Sequence, residues 1–76
     1  EAYAVQAIAC ADEAGLDRSR INLGGGSLAR GHPIGASGAV LAVRLFQELK
    51  RSGGLGLAAI AAAGGLGTAV IFEAIG

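Results

Sequence analysis

The chain has 76 residues, with six Lys or Arg balanced by six Asp or Glu, so its formal net charge is zero. This balance, with no basic cluster beyond Lys50 and Arg51, argues against a nucleic-acid partner. A single Cys and a single His exclude a disulfide framework and argue against a zinc site, so no metal is expected.

The short length also bounds the fold. A chain of this size that is rich in Ala and Gly buries little large side-chain area, which predicts at most one domain and a piece of a larger fold. The chain opens on Glu1 rather than on Met or a signal peptide, which suggests an internal start. Residues 53–72 carry no charge, but their many Gly residues argue against a membrane span.

The first predicted element is a helix over residues 2–14. Small apolar residues such as Ala7 and Ala11 recur there at three- and four-residue spacing. Gly15 follows as the expected residue that ends the helix. Cys10 lies inside it, and we expect a small buried side chain, because a reactive thiol needs an accessible, electropositive setting that the sequence does not indicate.

A short predicted strand, Ile21–Leu23, leads into a loop over residues 24–38 that contains the only His and the only Pro. The Gly residues of this loop permit positive φ and close backbone approach. Pro33 biases His32 away from the helical region and towards an extended conformation. We expect Asn22 to hydrogen-bond the loop backbone.

Gly-rich loops also bind phosphates, and two such interpretations are possible here. Gly24, Gly26 and Ala29 loosely match a dinucleotide-binding fingerprint, but the helix and the acidic residue that complete it are missing. A Walker A loop needs a Gly-Lys-Ser/Thr sequence, which the chain lacks. The sequence supports both interpretations only weakly.

The second half of the chain predicts one helix and two strands. Residues 35–52 form the strongest predicted helix, with an apolar stripe on one side and Ser37 at its cap or first turn. Residues 55–63 are typical of a strand buried on both faces. A Gly-rich turn at 64–67 joins it to a β-rich segment, 68–73, as a hairpin. This helix-loop-helix followed by a strand pair predicts a layered α/β unit.

His32 is the side chain whose ordinary pKa lies nearest neutrality, so it is the candidate general base. Ser27 or Ser37 could serve as a nucleophile, and Asp17 or Glu73 could orient the imidazole. These residues could form a serine hydrolase site, but their spacing in the sequence does not specify one. A structural, hydrogen-bonding His is about as well supported by the residues alone.

Three motifs carry a specific resemblance. Residues 22–26 (NLGGG) and 31–38 (GHPIGASG) resemble the histidine loop of the thiolase family. Residues 1–4 (EAYA) resemble the end of that family's Asn-Glu-Ala-Phe motif, and residues 61–67 (AAAGGLG) resemble its final Cys-x-Gly-Gly-Gly-x-Gly loop. The motifs occur in family order at family-like intervals, so the resemblance covers essentially the whole chain.

The resemblance implies that residues 1–76 are the C-terminal part of the C-terminal domain of a thiolase-like fold, in which two α/β halves stack in five αβαβα layers. The family is usually dimeric or tetrameric. It cleaves a 3-oxoacyl-CoA with coenzyme A or runs the reverse Claisen condensation. The implied partners are acyl-CoA, coenzyme A and the missing N-terminal half that carries the nucleophilic Cys. The CoA thioester is a substrate, no further cofactor is expected, and the expected location is the cytoplasm.

The resemblance also implies residue roles. His32, flanked by Gly31 and Pro33, would act as the base that activates the nucleophilic Cys of the missing half, and would help to bind the thioester oxygen. Ala61 stands at the position of the second catalytic Cys, which moves a proton at the substrate α-carbon. Ala63 and Gly64 belong to the loop whose backbone N–H groups would serve as oxyanion donors, and Ala63 keeps its N–H.

The departures from the family pattern leave an alternative open. Because a methyl group transfers no proton, Ala61 raises the possibility of a catalytically impaired homologue that acts in acyl-CoA binding or assembly. Cys10 does not match the nucleophile motif, the family's water-anchoring Asn would precede Glu1, and Gly24 replaces a usual Asn. We therefore expect the isolated chain to be inert, since it has an acid/base but no nucleophile.

Overall fold

The computed structural model describes residues 1–75, and these fall into two compact units that divide between Ile34 and Gly35. The first unit holds short helices and turns. The second holds a long helix and a β-hairpin, so the described residues are α/β, as predicted. Each unit is described by itself.

Helix α1 spans Ala4–Glu13 and confirms the first predicted helix. Its end is set by Gly15, which has φ of +67°. The N–H of Gly15 donates to Asp12 O at 3.2 Å, and the N–H of Leu16 donates to Ala11 O at 2.9 Å. This pair of bonds is the Schellman arrangement, so Gly15 ends the helix as its spacing predicted.

The expectation that Cys10 is buried is wrong, because its side chain is exposed. Ala11, one residue further along α1, is the buried residue of the helix at 6% exposure. Successive helical residues point about 100° apart, so the side of α1 that packs inward at Ala11 turns Cys10 outward.

The predicted strand Ile21–Leu23 is also wrong. Arg18–Arg20 form a single 3₁₀ turn, capped by the Asp17 carboxylate, which accepts the N–H of Ser19 at 3.0 Å. Asn22 then takes φ of +48°, in the left-handed region, which no strand residue adopts. The loop that follows contains a one-turn helix, α2, over Ser27–Arg30.

Helix α3 spans Ser37–Ser52 and confirms the strongest helix prediction, although it begins two residues later than predicted. Ser37 is its first residue and is 2% exposed, which confirms a first-turn position. The helix ends at Gly53, which has φ of +68° and donates its N–H to Leu49 O at 2.8 Å.

The apolar stripe of α3 packs as predicted along most of its length. Leu41 and Leu45 are half-buried and Leu49 is 8% exposed. Phe46, at the edge of this stripe, is 57% exposed. The ammonium of Lys50 lies 5.7 Å from the centre of the Phe46 ring, so this ring pairs with a cation instead of the core.

Strands β1, Leu55–Ala62, and β2, Leu66–Glu73, form the predicted antiparallel hairpin. Their register pairs Leu55 with Glu73 and Ala61 with Gly67. One face of the hairpin contacts α3. A Cβ at Gly56 would overlap the Leu45 side chain, so glycine lets the helix approach the strand at this point.

The prediction that β1 is buried on both faces is wrong in the described residues. Alternate β1 residues, Gly56, Ala58 and Ile60, are half-buried on the α3 side, and the residues between them are exposed. Leu57 on the outer face is 60% exposed, and its cross-strand partner Ile71 is 65% exposed. The reason is that α3 covers one face of the hairpin and no described element covers the other.

Candidate functional site

His32 lies directly after α2, in the first unit, and its side chain is exposed. The residue before it, Gly31, ends α2 by donating its N–H to Ser27 O at 2.7 Å. Gly31 has φ of 96° and ψ of 164°, a combination that essentially only glycine adopts. This turn takes His32 out of the helix, and Pro33 prevents the helix from resuming immediately after it.

The other end of α2 has an unusual cap. Gly26 is the N-cap residue, so no side chain of its own can accept an N–H of the first turn. The carboxylate of Glu1 takes that role from the start of the chain. Its Oε2 accepts the N–H of Leu28 at 3.1 Å. A carboxylate at this position also interacts favourably with the positive end of the helix dipole.

The same carboxylate has a second donor. Its Oε1 accepts the side-chain N–H of Asn22 at 2.6 Å. Asn22 is held in its left-handed conformation in a tight turn, where its backbone carbonyl accepts the N–H of Gly25 at 2.8 Å. We call the Glu1 carboxylate with its two donors, the Asn22 side chain and the Leu28 N–H, the Glu1 clamp.

Gly26 makes room for the Glu1 clamp. It is buried, and a Cβ added to it would overlap the carboxyl group of Glu1. The hydrogen bonds from the Leu28 N–H and from Asn22, with a smaller contribution from the positive charge of Arg30, hold the pKa of Glu1 below its usual value. Glu1 is therefore ionised at neutral pH, which strengthens both hydrogen bonds.

The remaining predicted site residues lie in the second unit. Ala61 is near the end of β1, on the exposed face of the hairpin, opposite Gly67. Ala63 and Gly64 are in the turn between the strands, where Gly64 has φ of +88°. The structure thus groups Gly31, His32 and Pro33 in one unit and Ala61, Ala63 and Gly64 in the other.

The side chains proposed for a serine hydrolase site are divided between the two units, with Asp17, Ser27 and His32 in the first and Ser37 and Glu73 in the second. Asp17 is engaged by Ser19, whose hydroxyl donates to it at 2.7 Å, and this bond holds the pKa of Asp17 below its usual value. Ser37 is buried in α3, in the second unit, and Glu73 is at the open end of the hairpin in the same unit.

No described segment matches a nucleotide-binding loop. The residues before Gly24 form a 3₁₀ turn, Arg18–Arg20, and an irregular segment, 21–23, rather than a strand. Helix α2 has only four residues, whereas a dinucleotide fingerprint requires a strand and a full helix. The recess between α3 and the hairpin has a volume of about 130 Å³ and a mainly apolar lining. It is too small for a CoA thioester.

Within residues 1–75, no group of three or more His, Cys, Asp or Glu side chains is placed to hold a metal ion. No helix within the same range has the length and apolar character needed to cross a membrane.

Glu1 is the functional candidate that reasoning from sequence missed. It appeared only as part of a motif, because nothing in a sequence shows that residue 1 and residue 28 share a hydrogen bond. One signal was present. Gly26 stands where a helix N-cap normally carries Ser, Thr, Asp or Asn, and such a vacancy indicates that the cap comes from elsewhere.

Comparison with known proteins gives a consistent result. The family model for the thiolase C-terminal domain matches residues 1–74. A candidate acetyl-CoA C-acetyltransferase of Bacillus subtilis is 49% identical over 77 residues, which is 99% of this chain and 21% of the relative. The acetyl-CoA acetyltransferase of Cupriavidus necator is 46% identical over 74 residues, 96% of this chain and 19% of the relative.

A plant relative is similar as well. The peroxisomal 3-ketoacyl-CoA thiolase 1 of Arabidopsis thaliana is 41% identical over 76 residues, 96% of this chain and 17% of the relative. The chain thus spans about a fifth of the length of the curated relatives it matches. No solved structure matches it with significance.

Proposed function

Because this chain belongs to the thiolase family, through its C-terminal domain, we propose that it supplies the histidine-bearing part of an acyl-CoA C-acyltransferase. The reaction is thiolytic cleavage of a 3-oxoacyl-CoA or the reverse Claisen condensation. The observation that carries the proposal is the placement of His32, exposed between the Gly31 turn and Pro33 at the end of a capped helix.

The proposed role of His32 is that of a general base. A thiolate, not a thiol, attacks a carbonyl carbon, and an imidazole next to a Cys produces that thiolate. The nucleophilic Cys belongs to the part of the protein that precedes this chain. It attacks the 3-oxo carbonyl, the bond between the α- and β-carbons breaks, and the acyl group remains as a thioester on the Cys. Coenzyme A then takes the acyl group and releases the thiol.

The side chain at position 61 determines the proposed rate of proton transfer at the substrate α-carbon. When the bond between the carbons breaks, the departing thioester enolate must gain a proton, and in condensation the acetyl-CoA α-carbon must lose one. The family uses a second Cys for this proton, and the methyl group of Ala61 cannot replace it. We therefore propose that the proton step is slow and limits turnover.

The turn after β1 is the proposed site of oxyanion binding. Backbone N–H groups that point at a developing negative charge stabilise it without reorganisation. Ala63 retains its N–H in place of the family Gly, and Gly64 follows in a conformation that favours glycine. The proposed donors are the N–H groups of this turn.

The exposed apolar face of the hairpin supports a larger assembly. Leu57 and Ile71 are more than half exposed, and such a surface costs free energy unless another element covers it. We propose that the N-terminal half of the protein covers this face, and that the whole enzyme is a homodimer or homotetramer. Acyl-CoA and coenzyme A are its proposed substrates, and the cytoplasm is its proposed location.

A second candidate function follows from the same residue. With Ala61 in place of the second catalytic Cys, the protein would be an impaired thiolase homologue that binds acyl-CoA or takes part in assembly. This alternative predicts acyl-CoA binding without turnover, whereas the acyltransferase proposal predicts slow turnover that a thiol at residue 61 accelerates.

The test uses the carrier polypeptide, by which we mean the longest natural polypeptide that contains residues 1–76. Its rate of acetoacetyl-CoA thiolysis is measured beside that of the Ala61→Cys variant. Residue 61 faces Gly67 across the hairpin, so a thiol there meets no opposing side chain. A positioned acid/base contributes about 10²–10⁴-fold, which is the expected gain.

A matched control separates this gain from general thiol chemistry. Ala59 lies on the same face of β1 two residues away, so Ala59→Cys adds the same thiol at the wrong position. We expect no gain from it. A wild-type carrier that is fully active and unaffected by Ala61→Cys would refute the proposed slow proton step. Absence of turnover in both, with acyl-CoA binding retained, would favour the impaired homologue.

A further inference from the structure

We propose that Glu1 is a positioning residue for His32, acting through the Glu1 clamp on α2. The inference rests on the proposed function, because it assigns a residue that serves the same histidine. In this role Glu1 need not touch the substrate, because its carboxylate sets the backbone that leads to the imidazole.

Helix α2 is weak on its own. A helix of four residues fixes several backbone angles for very few hydrogen bonds, so its formation is unfavourable without outside help. Inside α2, the N–H groups of Ala29 and Arg30 reach Gly26 O, at 3.1 and 3.3 Å. The N–H of Leu28 has no acceptor in the helix and is bound by Glu1.

The Glu1 clamp joins two parts of the loop. Its two donors, the Asn22 side chain and the Leu28 N–H, lie on either side of the three consecutive Gly residues 24–26. Glycine has the largest conformational freedom of any residue, so this stretch is the most easily disordered part of the loop. A single carboxylate that binds on both sides of it holds the stretch closed.

Helix α2 and the Gly31 turn connect the Glu1 clamp to His32. Three residues, Ala29, Arg30 and Gly31, separate Leu28 from His32, and they comprise the rest of α2 and the Gly31 turn. If the first turn of α2 opens, Ser27 is no longer held in the helix, and its carbonyl oxygen loses the hydrogen bond from the Gly31 N–H. His32 then loses its set position, and a misplacement of about 1 Å can cost up to about 10²-fold in rate.

Gly26 offers an independent way to remove the clamp. Its backbone, with φ of −122° and ψ of −163°, is extended and suits Ala as well as Gly. The Cβ of an alanine would displace the Glu1 carboxylate, and a flexible side chain moves aside more readily than the backbone. Gly26→Ala therefore releases the clamp while it retains the carboxylate and allows the loop to fold.

The experiment measures Glu1→Ala, Gly26→Ala and the double variant in the carrier polypeptide. We expect each single variant to lower kcat about 10- to 100-fold with KM nearly unchanged. The double variant should resemble either single one, because both remove the same contact. Glu13→Ala is the matched control, since this exposed carboxylate at the end of α1 is not part of the Glu1 clamp, and it should retain wild-type kcat.

A second readout separates this inference from the proposed function. Hydrogen exchange of the Leu28 amide, and the NMR resonances of the His32 ring, need no turnover. Glu1→Ala should raise the exchange rate about two- to fivefold and shift the ring resonances, while Glu13→Ala changes neither. Both changes in an inactive carrier would sustain the positioning role and reject the acyltransferase. Unchanged kcat, or unchanged ring resonances, in both clamp variants would overturn the inference.

Discussion

The two units of the chain are held together in different ways. In the second unit, α3 lays a stripe of Leu residues on one face of a hairpin whose alternate residues point towards it. In the first unit, Ala11 and Gly26 are the only buried residues, and the loop is fixed by glycine turns and by hydrogen bonds that the Glu1 carboxylate accepts. Packing organises one unit, and polar contacts organise the other.

This difference explains why the proposed catalytic group lies where it does. A packed helix and sheet give a rigid support, whereas an irregular loop can present an imidazole to another part of the protein. The loop still needs fixed geometry, and with so little apolar burial it obtains that geometry from a charged clamp and from restricted backbone angles.

The largest effect expected from any change to the first unit is on activity. His32→Ala in the carrier polypeptide should lower kcat for acetoacetyl-CoA thiolysis by about 10²–10⁴-fold, because the proposed base is lost. The side chain is exposed, so we expect its removal to change stability little. The rate and the melting temperature are measured on the same samples.

The matched variant for that experiment is Arg30→Ala, which changes an exposed neighbouring side chain in α2 without removing the imidazole. It should lower the rate far less than His32→Ala. If His32→Ala left the rate intact, or unfolded the protein, the imidazole would be structural and the contrast between the two units would lose its functional meaning.

The largest effect on stability is expected in the second unit. Leu49→Ala removes a large side chain that is 8% exposed, and such a cavity typically costs about 2–5 kcal/mol. Denaturant unfolding of the carrier polypeptide, with hydrogen exchange in α3, measures it. Val43→Ala is the control, because Val43 is 59% exposed on the same helix and its loss should cost far less. Equal costs for both would show that packing on the hairpin does not hold this unit together.

A smaller effect should come from the glycine turn beside His32. Gly31→Ala places a Cβ in open space, since nothing lies within 4 Å of it, so its cost is backbone strain alone. Strain of this kind amounts to about 1–3 kcal/mol. Gly35→Ala also meets nothing within 4 Å but has no positive φ, so it isolates the strain. The difference in unfolding free energy between the two variants is the measurement, and a difference near zero would contradict the strained turn.

The same difference between the two units determines which of their features could be predicted from the sequence. Helix α3 could be predicted from the 3.6-residue spacing of its apolar side chains, and the hairpin from two β-prone segments joined by a Gly-rich turn, because both patterns are local. The end of α1 at Gly15 could also be predicted from the sequence. The errors lie where tertiary surroundings decide: Cys10 and the outer face of β1 are exposed because nothing in the described chain covers them.

The sequence proposes the residues of the candidate site but does not reveal the contacts that hold them. His32 follows from the motif, whereas the left-handed Asn22 and the clamp from Glu1 depend on a hydrogen bond across 21 residues that no local pattern encodes. The predicted strand at Ile21–Leu23 failed for the same reason. Its β-like residues adopt a turn because Asn22 bonds to Glu1 instead of continuing an extended chain.

The smallest predicted effect is the acid sensitivity of the clamp. The two hydrogen bonds to Glu1 hold its pKa below the usual value of 4.5, so the folded loop favours the carboxylate. A group with a lowered pKa stabilises the fold fully above its ordinary pKa and loses that contribution as the pH falls through the lowered one. The protection factor of the Leu28 amide should therefore fall about two- to fivefold on acidification below the usual carboxylate range.

Glu1→Gln should show a weaker dependence, because its amide does not titrate. Asp17 titrates in the same direction, so Asp17→Asn must leave the fall at Leu28 in place if Glu1 is its source. A fall that Asp17→Asn removes and Glu1→Gln preserves would assign the acid sensitivity to the 3₁₀ turn, and α2 would then owe its cap to something other than a charged Glu1.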